Sequence, residues 1–443
     1  MRCVQNAWPV VHACSLSPRG RRAARRGRRP SRRVDGKRVR AYKVPPVPTV
    51  RLKPGHVQPV WAGHPWIYPQ AIERIVGEAL AGDEVTVEDP RGNFLGRGFF
   101  SPRSAIPVRL LVRDAEIPLD AAFFRQRIAH AASIRDGLGL KEELTTGFRL
   151  VHAEGDGLPG LVVDRYADVL AIQFGTVGMK QRERLVLDAL SAAVSPRAII
   201  DRTSLQVAKT EGFEPSHGVV RGDGGLRGLE FSERGLKFRI PLEVGQKTGF
   251  YFDQRSLRAR VEQLARGKRV LDAYCFVGAF AIGAARGGAR EVVAVDASAL
   301  SVAVGAECAT LNGVADRIAF VREDVRSVLS KSKADFDLVV ADPPRLAPRR
   351  ASIERALVAY AKLAENCCRA LRPGGLLVLC SCSASVDLAS LARALATGAT
   401  RANVDAIVVE RWFQAPDHPV PAAFGEGLYL KTLIARVERR GGA

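Results

Sequence analysis

Between Val50 and Leu111 apolar and polar residues alternate in short runs: Val50-Arg-Leu, Glu84-Val-Thr-Val-Glu, Phe94 to Phe100, and Pro107-Val-Arg-Leu-Leu. Asp89-Pro-Arg-Gly-Asn punctuates two of them as a turn, and the period of two predicts a small β-barrel. A helix-compatible stretch from Ala121 to Leu138 follows. A β-rich region comes next, with Gly160-Leu-Val-Val-Asp, Val169-Leu-Ala-Ile-Gln-Phe and Ala198-Ile-Ile-Asp, and a loop tip at Gly222-Asp-Gly-Gly. After Gly245 the rhythm changes. Strands are expected at Arg269–Ala273, Glu291–Asp296, Ile318–Arg322, Phe336–Ala341, Gly375–Cys380, Ala406–Arg411 and Leu428–Val437, with helical stretches near 278–287, 299–311, 352–372 and 386–397. Apolar strands alternating with crossover helices predict an α/β fold on a seven-stranded, largely parallel sheet. The domains are read as 1–45, a disordered Arg-rich extension; 48–115, the barrel; 118–235, a central β-rich α+β domain; and 240–438, the α/β domain.

Composition narrows this picture. A chain of 443 residues has room for two or three domains, and its hydrophobic share of 47% is ordinary. No run approaches the roughly 18 consecutive apolar residues a membrane span needs. The formal charge is +21, and residues 1–45 concentrate it, with twelve Arg and two Lys against Asp35 alone. The rest is moderately basic, which suits a polyanionic partner. The Arg-rich stretch lacks hydrophobic periodicity. Three readings stand for it: an RNA-grasping arm, an organellar presequence, or an extension with no part in the fold. The eight cysteines form no zinc knuckles, and several sit in apolar runs, as thiols do in a reducing compartment; the cytoplasm is expected.

Chemistry gathers at the ends of the predicted strands. Val270-Leu-Asp272-Ala-Tyr-Cys-Phe-Val-Gly278 ends a strand with an acid and reaches a glycine where a helix starts. Open α/β sheets bind ligands there, and Gly278 lets backbone approach closely while Asp272 meets a cationic amine. The dinucleotide fingerprint G-x-G-x-x-G is absent, which argues against NAD and leaves S-adenosylmethionine open. Asp296 ends the second strand 24 residues beyond Asp272, close to the spacing at which an acid meets ribose hydroxyls in such folds. Asp324, after the third strand, is placed for an adenine amino group, with Glu323 as the bland alternative. The fourth strand ends Asp342-Pro-Pro-Arg345, a rigid turn that presents carbonyls and a carboxylate to a flat base.

The fifth strand runs into Cys380-Ser-Cys382-Ser383. Carbon 5 of a pyrimidine is a poor nucleophile, and a thiolate adding at carbon 6 activates it. Alternation puts Cys380 and Cys382 on one face, so spacing does not choose between them. Cys382 lies nearer the carboxyl end. Cys275, Cys308, Cys367 and Cys368 read as packing residues.

His64-Pro-Trp-Ile-Tyr, Glu154-Gly-Asp-Gly-Leu-Pro-Gly-Leu-Val-Val-Asp-Arg-Tyr, Asp201-Arg-Thr-Ser, Gly245-Gln-Lys-Thr-Gly-Phe-Tyr-Phe-Asp-Gln-Arg255, Asp342-Pro-Pro, Ser381-Cys-Ser and Asp417-His-Pro-Val together cover about residues 48–438. In them the chain resembles the bacterial 23S ribosomal RNA cytosine-C5 methyltransferases that carry an N-terminal PUA domain. The resemblance implies a PUA β-barrel, a central β-rich domain and a Rossmann-like class I methyltransferase domain. It also implies S-adenosylmethionine as cofactor, large-subunit rRNA as partner, no membrane, and Cys382 with Asp342 as catalytic residues. Gln246, Thr248, Gly249, Phe252, Asp253, Gln254 and Arg255 would border cofactor and base, with Phe252, Gln254 and Arg255 joining Asp272, Gly278, Asp296, Asp324 and Asp342 as cofactor contacts; a structural linker is the alternative for that stretch. The oligomeric state stays open, a homodimer included. Two departures matter: Arg345-Leu346 replaces the family's usual Lys and aromatic, and no cysteine follows Pro-Pro. Asp342 is therefore the candidate for proton transfer at the base. Uracil-C5 methylation, methylation of a base nitrogen and a non-catalytic ribosome-assembly role remain as alternatives.

Overall fold

A computed structural model describes residues 47–140, 143–244, 248–346 and 353–441. The Arg-rich extension and Gln246 lie outside the described residues.

The N-terminal sheet uses β1 (Thr49–Leu52), β2 (Trp66–Ile67), β3 (Ile72–Val76), β4 (Glu84–Glu88), β5 (Phe94–Phe100) and β6 (Val108–Val112), with a short helix α1 (Val57–Trp61) after β1. Their order is β2-β6-β5-β4-β1-β3. Alternate residues Val50, Leu52, Val85, Val87, Val108 and Leu110 point into one core, as the period of two predicts. Register shifts in β1, β4 and β5 mark the irregularities at which such a small sheet bends. β2, with two residues, is too short to show a period, and β3 is exposed along most of its length, so it shows none.

The helix α2 (Ala121–Gly137) starts on Asp120, whose side chain accepts from the amides of Ala122 and Phe123. It leads into a sheet ordered β11-β10-β9-β8-β7, made of β7 (Gly147–His152), β8 (Leu161–Tyr166), β9 (Val169–Phe174), β10 (Ala198–Asp201) and β11 (Gly218–Gly222). Helices α3 (Val177–Gln181), α4 (Glu183–Val194) and α5 (Leu205–Glu211) lie between its strands. A hairpin, β12 (Gly228–Glu233) with β13 (Leu236–Pro241), follows. Leu229, Phe231, Phe238 and Ile240 of this hairpin share one core with Tyr166 and Ala171 before them and with Phe250, Val270 and Ile282 after them. Apolar packing is therefore continuous from the central sheet into the C-terminal one.

The C-terminal sheet has seven strands: β14 (Arg269–Ala273), β15 (Glu291–Asp296), β16 (Ile318–Arg322), β17 (Phe336–Ala341), β18 (Leu371–Ser381), β19 (Val404–Phe413) and β20 (Lys431–Arg439). The order is β16-β15-β14-β17-β18-β20-β19, parallel through β18, with β20 antiparallel between β18 and β19. Helices α6 (Arg255–Leu264), α7 (Ala279–Arg286), α8 (Ala299–Leu311), α9 (Val325–Lys331), α10 (Ile353–Ala370) and α11 (Leu388–Arg401) accompany it. The first four strands have the expected bounds. The fifth begins four residues earlier and ends one later than expected, and the last two shift by two or three residues. Strand order reverses between β14 and β17, so the crevice at their carboxyl ends is the natural ligand site. Among the described residues no helix is long and apolar enough to cross a membrane.

Candidate active site

The loop from β14 to α7 is shaped by backbone that ordinary residues avoid. Tyr274, Phe276 and Gly278 have φ of 65°, 51° and 70°. Left-handed non-glycine residues are costly and cluster at ligand sites. At Gly278 the glycine is required, because an added Cβ would lie 2.7 Å from the Phe320 ring. Helix α7, next in the chain, is apolar all round and buried from Ala279 to Ala285, which fixes its N-terminus rigidly against the sheet.

Asp272 stands beneath that loop, 1% exposed. Its Oδ2 accepts from the Ala281 amide at 3.0 Å, while its Oδ1 is buried with no hydrogen-bond partner. Burial, with the Asp342 and Asp296 carboxylates adding to it against the Ala281 amide, pushes its carboxyl up to about 7. A buried acceptor left in this state calls for a donor, preferably a cation. Asp296 accepts from the amides of Phe276 (3.0 Å) and Ser298 (2.9 Å), so its carboxylate is held at the rim of the same loop. An amine-bearing, ribose-bearing ligand such as S-adenosylmethionine fits this donor and acceptor set.

Asp324 lies at the end of β16, but both of its oxygens are engaged. It caps α9 through the Arg326 amide and pairs with the Arg326 guanidinium at 2.6 Å, and these hydrogen bonds hold its carboxyl down at about 2. An adenine amine would have to share it. Two of the expected cofactor contacts lie away from the crevice. Phe252 is 1% exposed inside an aromatic cluster with Tyr166, Phe231 and Phe250, where it packs the central part of the chain against the C-terminal one. Arg255 turns away from the crevice: its Nη2 donates to Asp417 Oδ2 at 2.9 Å and to the Gly147 carbonyl at 3.0 Å. Thr248 hydrogen-bonds Asp164, and a Cβ at Gly249 would lie 2.8 Å from Leu229, so both residues join the central sheet to the C-terminal domain.

Asp417 anchors a buried polar network. Its Oδ2 also accepts from the Arg149 amide, its Oδ1 lies 3.1 Å from His418 Nδ1, and its carbonyl accepts from Arg135, which also pairs with Asp156. Burial alone would raise the Asp417 carboxyl, but His418 and Arg255 outweigh it and hold it well below the usual range. Tyr429 donates to Asp253 Oδ2 at 2.6 Å, and the Ala415 amide donates to the Asp253 carbonyl. This network fastens the connection between β19 and β20 to the central sheet and to the segment carrying Gln254.

Gln254 faces the crevice instead. Its Nε2 donates to Asp342 Oδ2 at 3.0 Å, and its Oε1 is buried with no hydrogen-bond partner. Tyr251 packs its ring edge on Phe276 at 5.5 Å. Its hydroxyl is pushed up to about 12 by burial and then by the nearby Asp342, Asp253, Cys382 and Asp296. Asp296 belongs to the cofactor loop and Cys382 to the end of β18, so Tyr251 lies between the two. Its place in an unbroken aromatic run, Phe250-Tyr-Phe, hid it in the sequence.

The two candidate thiols separate clearly. Cys380 is fully buried and accepts from the Thr432 hydroxyl at 3.3 Å, and burial pushes its thiol well above its ordinary value. Cys382 is partly exposed, whereas the other five described cysteines are buried. It follows directly on β18. Its neighbours are held in place: Tyr360 donates to the Ser381 hydroxyl at 2.9 Å, and the Lys431 ammonium donates to the Ser383 carbonyl at 2.9 Å. Lys431 was not singled out in the sequence, because it lies far along the chain and reaches the site through the register that pairs it with Ser381. Among the described residues no group of three or more His, Cys, Asp or Glu could hold a metal ion.

Residues 50–113 match the family model of a PUA-like domain, and residues 184–434 match that of an S-adenosylmethionine-dependent methyltransferase. The chain is 36% identical over 393 residues to ribosomal RNA large subunit methyltransferase I of Shewanella denitrificans, covering 88% of this chain and 99% of that protein. It is 37% identical to the protein of the same name from Aeromonas hydrophila, with the same shares covered. In fold it is similar to the crystal structure of a methyltransferase complexed with SAH, at 19% identity and a TM-score of 0.76, covering 88% of this chain and 99% of the other. A SAM-dependent methyltransferase from Streptococcus mutans is similar at 18% identity and a TM-score of 0.75, with the same shares covered.

Proposed function

We propose, since the chain belongs to the ribosomal RNA large subunit methyltransferase I family of S-adenosylmethionine-dependent methyltransferases, that it methylates carbon 5 of a cytosine in large-subunit rRNA through a covalent intermediate at Cys382. The observation that carries this reading is the position of Cys382, the one partly exposed thiol among the described cysteines, just past β18 and next to β17, the strand that Asp342 follows. Asp272 would hold the cationic amine of the cofactor, Gly278 would let the backbone close on it, and Asp296 would take the ribose hydroxyls. S-adenosylmethionine bound there supplies an electrophilic methyl group. Asp324 is left a lesser part, since Arg326 already occupies it.

The chain's own residues do the rest. Cys382, as thiolate, forms a bond to carbon 6, and the electron pair of the 5,6 double bond moves to carbon 5, which becomes the nucleophile. After methylation the proton on carbon 5 must leave, and its bonding pair re-forms the double bond as the carbon–sulfur bond breaks. Asp342 is the group proposed to take or relay that proton. Gln254 Oε1, a buried acceptor with no partner, stands beside the Asp342 carboxylate and would suit the amine of a cytosine better than the carbonyl of a uracil. The PUA-like sheet supports an RNA partner.

Nucleoside mass analysis of rRNA treated with wild type and with Cys382→Ala tests the proposal. The expected result is 5-methylcytidine with wild type and none with the variant, while the variant still binds cofactor in calorimetry. Full methylation by Cys382→Ala would sink covalent catalysis. A methyl group on uridine or on a ring nitrogen would replace the substrate.

A further inference from the structure

Lys431 is an anomaly for an ordinary structural lysine. It is 4% exposed, yet among the described residues it forms no ion pair, and its one hydrogen-bond acceptor is the neutral carbonyl of Ser383. An ammonium has three donors, and burying it without an anion is costly unless something compensates. β20 pairs antiparallel with β18 so that Lys431 lies opposite Ser381, while its ammonium reaches Ser383. The two contacts flank Cys382. On its other side Lys431 pairs with Phe413 of β19, which offers no charge.

We infer that Lys431 is the charge partner of the Cys382 thiolate, a positioning residue that stabilises the anionic sulfur both before it adds to the base and when it is expelled. The inference rests on the reading of Cys382 as nucleophile. It addresses a gap in that reading, since no second cysteine follows Asp342-Pro-Pro to assist release. The balance is simple. The Cys382 Sγ–H proton goes to solvent, the sulfur keeps its electron pair, and the ammonium keeps its own proton. During expulsion the carbon–sulfur pair returns to sulfur beside the same ammonium, and the leaving thiolate is never without a counter-charge. The other groups facing Lys431 do not replace this role. Asp387, ahead of α11, accepts from the Ser390 amide, forms no ion pair with Lys431 and draws on its charge less than Cys382 does, Tyr360 reaches the same corner from α10 through Ser381, and Arg345 opposes a second cation. Burial depresses the ammonium to about 8, with Cys382 and Asp387 pulling it back, so it remains largely charged at neutral pH.

The test is the pH dependence of Cys382 alkylation by iodoacetamide in the full chain, without RNA or cofactor, read by peptide mass spectrometry. Only the thiolate reacts, and the other described cysteines are buried. Lys431→Met is expected to move the midpoint up by about one pH unit or more, slowing alkylation roughly tenfold at pH 7. Lys431→Arg keeps the charge and should restore most of the rate. If Lys431→Met does not fold, as judged by loss of cofactor binding, Lys431→Gln keeps a hydrogen bond to Ser383 and reads the same quantity. An unchanged midpoint in the neutral variants overturns the inference. That outcome is distinct from failure of the nucleophile reading, which Cys382→Ala decides by product.

Discussion

Asp272 links burial to binding. Its ordinary value is 3.8 and the fold raises it to about 7, so between those limits the folded chain holds a proton that the unfolded chain has lost. The stabilising difference is full below about pH 3.8 and has gone once the pH passes about 7. A cationic amine against Oδ1 favours the ionised form, so cofactor affinity should rise as pH goes from 5.5 to 7. Asp272→Asn should flatten that dependence and weaken binding roughly 30- to 150-fold, the worth of a charge-assisted hydrogen bond of about 2–3 kcal/mol. Calorimetry across that range checks both, and a variant with unchanged affinity removes Asp272 from the site. The place of this acid at a strand end was legible because one strand, one turn and one helix start, all local in sequence, specify it, and the places of Asp296 and Asp342 were legible for the same reason. The burial of Phe252 was not legible, because a motif fixes which residue types stand together but not which way each side chain turns. Within Phe250-Tyr-Phe-Asp-Gln the aromatics on either side of Tyr251 go to the core, while Tyr251 and Gln254 go to the crevice.

Contacts between elements were the least legible part. The segment around β2 reads as a short motif, His64-Pro-Trp-Ile-Tyr, yet its partners stand far along the chain. Trp66 donates from its indole nitrogen to Glu154 at 2.7 Å and packs its ring 4.5 Å from Phe424, while His64 and Tyr68 both reach Glu426. The connection between β19 and β20 is thus gripped by the N-terminal sheet on one side and by the Asp417 network on the other. Trp66→Ala should cost about 1–3 kcal/mol, since the ring is only partly buried and its loss removes the Phe424 packing and the hydrogen bond to Glu154. In urea the midpoint should fall accordingly, and a midpoint within experimental error of wild type would show that the grip is incidental. Alternation predicted the strands of the N-terminal sheet, but not this docking, because period two reports which face is buried and is silent about what covers an edge. The hairpin β12–β13 was missed for a related reason: its apolar face is shared between two sheets and belongs to neither pattern.

At the scale of the molecule, charge and strand order matter most. The formal charge of +21 is densest in residues 1–45, and RNA affinity should fall steeply with salt. Deleting residues 1–45 should lower the slope of log affinity against log salt by at least about 2 if the arm neutralises three phosphates, at about 0.7 each on single-stranded RNA. Filter binding across a salt series measures it, and an unchanged slope excludes the arm from the interface. The α/β architecture itself was read correctly from the alternation of apolar strands and helices. The insertion of β20 inside β19 was not, since sequence order places β19 first. That insertion has a consequence for biosynthesis. While a ribosome is still translating the chain, β19 emerges before the strand that joins it to the sheet, and Cys382 emerges before its lysine. If Lys431 serves Cys382 as proposed, a nascent chain would carry every acid of the crevice before its thiol gained a counter-charge, and competence would arrive only with β20.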